Sequence, residues 1–159
     1  MKIMLIEDDY VLNKVITLYL SKKGYRVDSF LNGLDAYDNL HNTYDIFIVD
    51  IDVPEMNGIE LLQKIKEKFS NTYVLMISAN IDIEIIEKAY NLGCNDYIKK
   101  PFSTKEIELK LNLLKEKINT KYQLTKNSFY DLNKSQIILE NETIKLTKKE
   151  SDLLYLLLQ

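Results

Sequence analysis

Apolar residues along this chain fall into two periods, and the alternation between them predicts the elements. Lys2-Ile3-Met4-Leu5-Ile6 is a short, nearly unbroken apolar run, as expected of a strand buried on both faces. Val11, Leu12, Val15, Ile16, Leu18, Tyr19 and Leu20 then recur at helical spacing, and Lys22-Lys23-Gly24 closes that helix. Tyr25 to Phe30 alternates as a strand, and Leu34, Ala36, Tyr37 and Leu40 mark a second helix. Ile46 to Val49 is another apolar run, ending on Asp50, with Pro54 and Asn57-Gly58 announcing a turn. Ile59, Leu61, Leu62, Ile65 and Phe69 form a third helical stripe. Tyr73 to Ile77 forms a fourth strand, and Ile83, Ile85, Ile86, Ala89, Tyr90 and Leu92 form a helix stopped by Gly93. Asp96 to Lys99 is a short fifth strand. A long helix capped by Ser103 or Thr104 follows, carrying Ile107, Leu109, Leu111, Leu113, Leu114 and Ile118.

Five strand-then-helix units in succession imply a parallel sheet with right-handed crossovers and helices on both faces. The expected fold is α/β, a flavodoxin-like doubly wound five-stranded sheet in the order 2-1-3-4-5. That order sets the ends of strands 1 and 3 side by side, bringing Asp8, Asp9 and Asp50 together.

The texture changes after residue 118. Residues 119–128 are polar and read as a linker. Phe129 to Leu132, Gln136 to Leu139 and Thr143 to Leu146 read as short antiparallel strands. Thr147 and Glu150 match a capping box ahead of an apolar helix, Ser151 to Gln159.

Charge sharpens this division. Residues 1–114 carry 13 basic and 18 acidic side chains, whereas 115–149 carry eight lysines against four acids. A basic C-terminal part is a hint of nucleic acid. Otherwise composition is that of an ordinary globular protein, 46% hydrophobic and 28% charged. The single Cys94 allows no internal disulfide, no apolar run reaches a membrane span and no export signal is visible, so a cytoplasmic location is expected. The lone His41 reads as a solvated helix-end residue.

The candidate chemistry lies at the C-terminal ends of the strands. Clustered carboxylates without His or Cys suit a hard divalent cation such as Mg²⁺. Ser78 ends strand 4 with a hydroxyl, Ala79 offers an unshielded backbone N–H, and Lys100 follows strand 5 with a mobile ammonium. Around a carboxylate nucleophile these make a charge clamp for a transferring phosphoryl group.

Glu7-Asp8-Asp9, Val49-Asp50, Pro54-Glu55-Met56-Asn57-Gly58, Ser78-Ala79 and Lys100-Pro101-Phe102 occur in order over residues 1–118, which thereby resemble the receiver domain of two-component response regulators. The resemblance implies that Asp50 accepts a phosphoryl group from a sensor histidine kinase. It implies direct Mg²⁺ binding by Asp9, Asp50 and the backbone carbonyl of Asp52, with Asp8 acting through water. Ser78 matches the switch hydroxyl, Tyr97 the aromatic that rotates inward, and Lys100 the phosphate-contacting lysine, followed by a cis bond before Pro101. Such a protein is a regulator rather than an enzyme, catalysing only its own phosphoryl transfer and dephosphorylation.

Residues 129–159, with Leu146-Thr147-Lys148-Lys149-Glu150, resemble the opening of an OmpR/PhoB-type winged-helix effector. The part that reads promoter DNA follows this opening in the family, so specific DNA binding is expected only of a full-length form. A homodimer through helix 4, strand 5 and helix 5 is implied, using Ile83, Ile86, Tyr90, Asp96 and Lys110. Lys110 stands where Arg is usual, and Ile86 where Lys is usual. Asp52, two residues past the acceptor, is an unusual acid whose charge is expected to repel phosphate or alter dephosphorylation. Two other readings stand beside this one: a Mg²⁺-dependent phosphohydrolase with an aspartyl-phosphate intermediate, for which Asp52 supplies a second acid, and a stand-alone receiver with a dimerisation appendage.

Overall fold

The computed structural model describes residues 1–40, 44–79, 82–119, 121–132 and 134–158, with 115–119 and 121 described by backbone only. His41 lies outside the described residues. The chain divides into two units, Met1–Ile107 and Glu108–Gln159, and the boundary falls within one helix.

The first unit is built from β1 (Lys2–Ile6), α1 (Tyr10–Lys22), β2 (Arg26–Phe30), α2 (Gly33–Asp38), β3 (Ile46–Asp50), α3 (Gly58–Lys68), β4 (Tyr73–Ser78), α4 (Ile83–Asn91) and β5 (Asp96–Lys99). Helix α5 (Thr104–Asn119) crosses into the second unit. The strands are all parallel, in the expected order β2-β1-β3-β4-β5. Every residue of β3 is buried, which explains its unalternating apolar sequence. Met4, Ile6, Phe47, Val49, Val74 and Met76 share one cluster with Ala36, Leu61, Leu62, Ile65 and Ala89 from α2, α3 and α4. The alternate strand residues Ile3, Leu5, Ile46, Ile48, Leu75 and Ile77 point to the opposite face, where they are equally buried. Because the central strands β1, β3 and β4 are buried along nearly their whole length, they open to solvent at their ends.

In the second unit β6 (Lys121–Thr125), β7 (Ser128–Asp131), β8 (Gln136–Ile138) and β9 (Thr143–Lys145) form an antiparallel sheet in sequence order, followed by α6 (Lys148–Leu157). This corrects the expectation of a linker over 119–128, since 121–125 are a strand. Its alternation rests on only two apolar residues, Tyr122 and Leu124, set among polar neighbours. Tyr122 packs its ring against Tyr130 and Tyr155, at 6.1 and 5.8 Å between centroids, and the chain reverses through Lys126 and Asn127. Tyr130 is fully buried and its hydroxyl meets the Oγ of Ser151 at 2.6 Å, which pins α6 to β7. Thr147 and Glu150 form the expected capping box at the start of α6.

Candidate functional site

The site forms where β1, β3, β4 and β5 end together. Asp50, the last residue of β3, is 2% exposed, because the sheet buries β3 to its tip. The loop that leaves it is folded back tightly. The Gly58 N–H donates to the Ile51 carbonyl at 2.9 Å, and a Cβ on Gly58 would lie 2.1 Å from the Asp50 carbonyl oxygen. Glu55 sits in this loop at φ 68°, a left-handed conformation for a residue with a side chain.

Glu7 follows β1 and is wholly buried. Its N–H donates to the Phe30 carbonyl at 3.1 Å, extending the β1–β2 ladder by one residue. The side-chain amide of Asn13, itself buried in α1, donates to the carbonyls of Glu7 and Phe30 at 3.0 and 3.1 Å, and so fixes the end of β1.

Lys100 reaches both acids. Its Nζ lies 2.6 Å from Asp50 Oδ2 and 2.8 Å from Glu7 Oε1. Its backbone N–H is tied to the Ser78 carbonyl at 2.8 Å, and the bond to Pro101 is cis. Burial pushes the Glu7 carboxyl above its ordinary value. The hydrogen bond from Lys100 draws it back, and the nearby Asp50 charge adds to the rise. Burial draws the Lys100 ammonium down, but its hydrogen bonds to Asp50 and Glu7 outweigh this and hold it above the usual lysine value.

Glu7, Asp8 and Asp50 bring carboxylate oxygens within 4.8 Å of one another. Glu7 Oε2 is buried without a hydrogen-bond partner. An orphaned carboxylate oxygen beside two further acids is the donor set that a hard, oxygen-preferring cation satisfies. The residues present therefore fit Mg²⁺.

One expected ligand lies elsewhere. Asp9 was expected to share the ion with Asp50, but its Oδ1 accepts from the N–H groups of Val11 and Leu12 at 2.8 and 2.9 Å and caps α1. A carboxylate at the N-cap satisfies two orphan amides and faces the positive end of the helix dipole. Glu7, and not Asp9, is the acid grouped with Asp8 and Asp50. Two signals for this lay in the sequence: Asp9 stands directly before the helix, where Asp is a favoured cap, and Glu7 directly continues the strand.

Ser78 is buried at the end of β4, and its Oγ donates to Asp52 Oδ2 at 3.2 Å. The Asp52 N–H donates to Asp50 Oδ1 at 3.2 Å. Tyr97 is half-buried and packs against the cluster on the α2–α4 side of the sheet. On α4, Ile83 and Tyr90 are exposed and Ile86 is half-buried. Among the described residues no helix is long and apolar enough to cross a membrane.

Residues 3–112 match the model of the response regulator receiver domain. The transcriptional regulatory protein CrdR of Helicobacter pylori is 40% identical over 112 residues, covering 69% of this chain and 53% of CrdR. The response regulator ArlR of Staphylococcus aureus is 32% identical over 158 residues, 98% of this chain and 72% of ArlR. The crystal structure of DrrB, a Thermotoga maritima OmpR/PhoB homolog, matches with a TM-score of 0.68 at 27% identity, over 98% of this chain and 71% of DrrB. The chain thus spans about half the length of CrdR and under three quarters of ArlR. With a family match over most of its length and an ArlR-like sequence throughout, this chain belongs to the two-component response regulators.

Proposed function

We propose that Asp50 accepts a phosphoryl group from the phosphohistidine of a sensor kinase, and that this covalent change controls transcription through an effector domain in a full-length form. The observation that carries this reading is the buried Asp50 carboxylate held at 2.6 Å by Lys100. An Asp50 oxygen attacks phosphorus, the P–N bond to the donor imidazole breaks, and the electron pair leaves with the imidazole nitrogen, which takes up a proton. The product is an acyl phosphate on Asp50, and attack by water later releases inorganic phosphate and restores the carboxylate. The transferring oxygens carry negative charge that the Lys100 ammonium, already within reach of Asp50, neutralises. Ser78 would donate its hydroxyl to the bound phosphoryl group, and Tyr97 would move inward behind it, shifting the population of the α4 face.

Receiver domains generally bind Mg²⁺, and here Glu7, Asp8 and Asp50, with the Asp52 carbonyl, would hold it. When bound, the ion supplies positive charge for the phosphoryl oxygens. The phosphohydrolase reading is less favoured, because the acid it needs, Asp52, accepts the hydroxyl of Ser78. Similarity to ArlR across 158 residues favours an effector beginning over a dimerisation appendage for the second unit. In α6, Leu153, Leu156 and Leu157 are exposed by 63%, 75% and 74%, as expected of a helix whose packing partners lie in the rest of such an effector. Dimerisation through Ile83, Ile86, Tyr90, Asp96 and Lys110 belongs to the same reading.

The test is intact mass after treatment with acetyl phosphate and Mg²⁺. The parent gains one phosphoryl group and Asp50→Ala gains none. Equal labelling of both, or of neither, overturns the reading.

A further inference from the structure

Between the acceptor and the switch hydroxyl lies a residue with contacts to both. The Asp52 N–H donates to Asp50 Oδ1, and Asp52 Oδ2 accepts a hydrogen bond from the Ser78 hydroxyl, each at 3.2 Å. Ser78 is buried, whereas Asp52 is exposed. Asp52 also lines a cavity of about 530 Å³, shared with Ile51, Val53, Ile85 and Lys88. Asp52 thus contacts the site and also lines a cavity whose wall includes Ile85 and Lys88 of α4.

A serine hydroxyl has one proton to donate. Phosphorylation of Asp50 would bring three strong acceptor oxygens and close to two negative charges to within reach of that proton. The phosphoryl group and the Asp52 carboxylate then compete for one donor, and their charges repel. We propose that Asp52 is a positioning residue that latches Ser78 away from the phosphoryl position, so that phosphorylation must displace its carboxylate before the switch turns. The open cavity gives the displaced carboxylate room, and Lys88 on its wall gives it a cation on α4. The latch would thus raise the threshold for switching and link release of Ser78 to the helix whose face changes. It rests on the reading of Asp50 as phosphoacceptor.

The experiment is a double-mutant cycle on the full chain with beryllofluoride and Mg²⁺ as the phosphoryl mimic: parent, Asp52→Ala, Ser78→Ala and the double variant. Asp52→Ala leaves the backbone carbonyl in place, and its site is exposed, so the fold is kept. With Ser78 present, Asp52→Ala is expected to tighten beryllofluoride binding by about tenfold, the scale of one charge-assisted hydrogen bond no longer in competition. In the Ser78→Ala background the gain should fall to about twofold, the part due to charge alone. Asp52→Asn, which keeps an acceptor oxygen, should fall between parent and Asp52→Ala. An equal gain in both backgrounds, or none in either, overturns the latch. Acetyl phosphate labelling of the parent separates the two levels: a parent that labels on Asp50 but shows no coupling loses only the latch, and one that does not label loses the phosphoacceptor reading as well.

Discussion

The Nζ of Lys100 lies 2.6 Å from Oδ2 of Asp50, joining a residue just past the end of β5 to the tip of β3 across an intervening strand. The Asp50 side chain is 3% exposed and that of Lys100 22%, so this contact forms largely out of water. The same ammonium holds Glu7 at 2.8 Å, and a single cation thereby keeps two buried acids from repelling each other.

Removing that cation should be costly. Lys100→Ala leaves Glu7 and Asp50 facing one another with only Mg²⁺ or a proton to offset their charge. A loss of about 3 kcal/mol is expected in metal-free urea denaturation, the scale of breaking a buried pair from one side. Added Mg²⁺ should then stabilise the variant more than the parent. Equal Mg²⁺ stabilisation of the two proteins would contradict this account of Lys100.

Glu7 carries a pH signature. Its pKa in the folded chain is raised above 4.5, chiefly by burial. A raised value means that the folded state binds the proton more tightly than the unfolded state does. The stability this contributes is complete below pH 4.5 and is lost as pH rises through the higher folded value. Without metal, ionisation of Glu7 is thus a burden on the fold. Glu7→Gln, which keeps the shape and lacks the charge, should lack this component, so its stability relative to the parent should rise as pH climbs from 4.5 upward. Thermal melts with chelator across that range check it, and parallel curves for the two proteins would refute it. The same substitution should weaken Mg²⁺ binding.

The two neighbouring acids should divide their work. Asp9→Ala should cost about 1 kcal/mol, the usual loss of an N-cap, while leaving Mg²⁺ affinity nearly unchanged. Asp8→Ala should remove most Mg²⁺ affinity at little cost to folding, since Asp8 is exposed. Calorimetric Mg²⁺ titration together with urea denaturation separates the two, and the reverse pattern would restore Asp9 as the ligand.

Gly58 is required by close approach. An added Cβ would meet the Asp50 carbonyl oxygen at 2.1 Å and the Ile51 Cα at 2.8 Å, both backbone atoms that cannot turn aside. Gly58→Ala should cost about 1–3 kcal/mol and slow phosphorylation by shifting Asp50. Gly24→Ala is the control. It meets nothing within 4 Å, and its cost is the roughly 1 kcal/mol of a positive φ, with phosphorylation unaffected. Unchanged labelling of Gly58→Ala by acetyl phosphate would count against the coupling.

The parallel sheet was legible because its buried strands and amphipathic helices carry different periods, and β3 needs no pairing partner to be recognised. Strand β6 was not legible, since Tyr122 and Leu124 are its only apolar residues and the partners of Tyr122, the rings of Tyr130 and Tyr155, lie further along the chain. The site divides in the same way. Asp50 and Lys100 could be read at the ends of their strands, and Ser78 at the end of β4, because a strand end in such a sheet opens on the crevice.

The sequence by itself determined, for the first unit, the order of elements, the sheet topology and the rim where acids, hydroxyl and ammonium gather. These follow from local period and from connection rules. Which of three consecutive acids turns inward was decided by tertiary structure. The β1–β2 ladder carries one residue further to bury Glu7, and the first amides of α1 claim Asp9 as a cap. The contact from Ser78 to Asp52 likewise bridges 26 residues of chain. Side-chain direction at a strand end depends on what stands beside it, and those neighbours are set only when the strands are side by side.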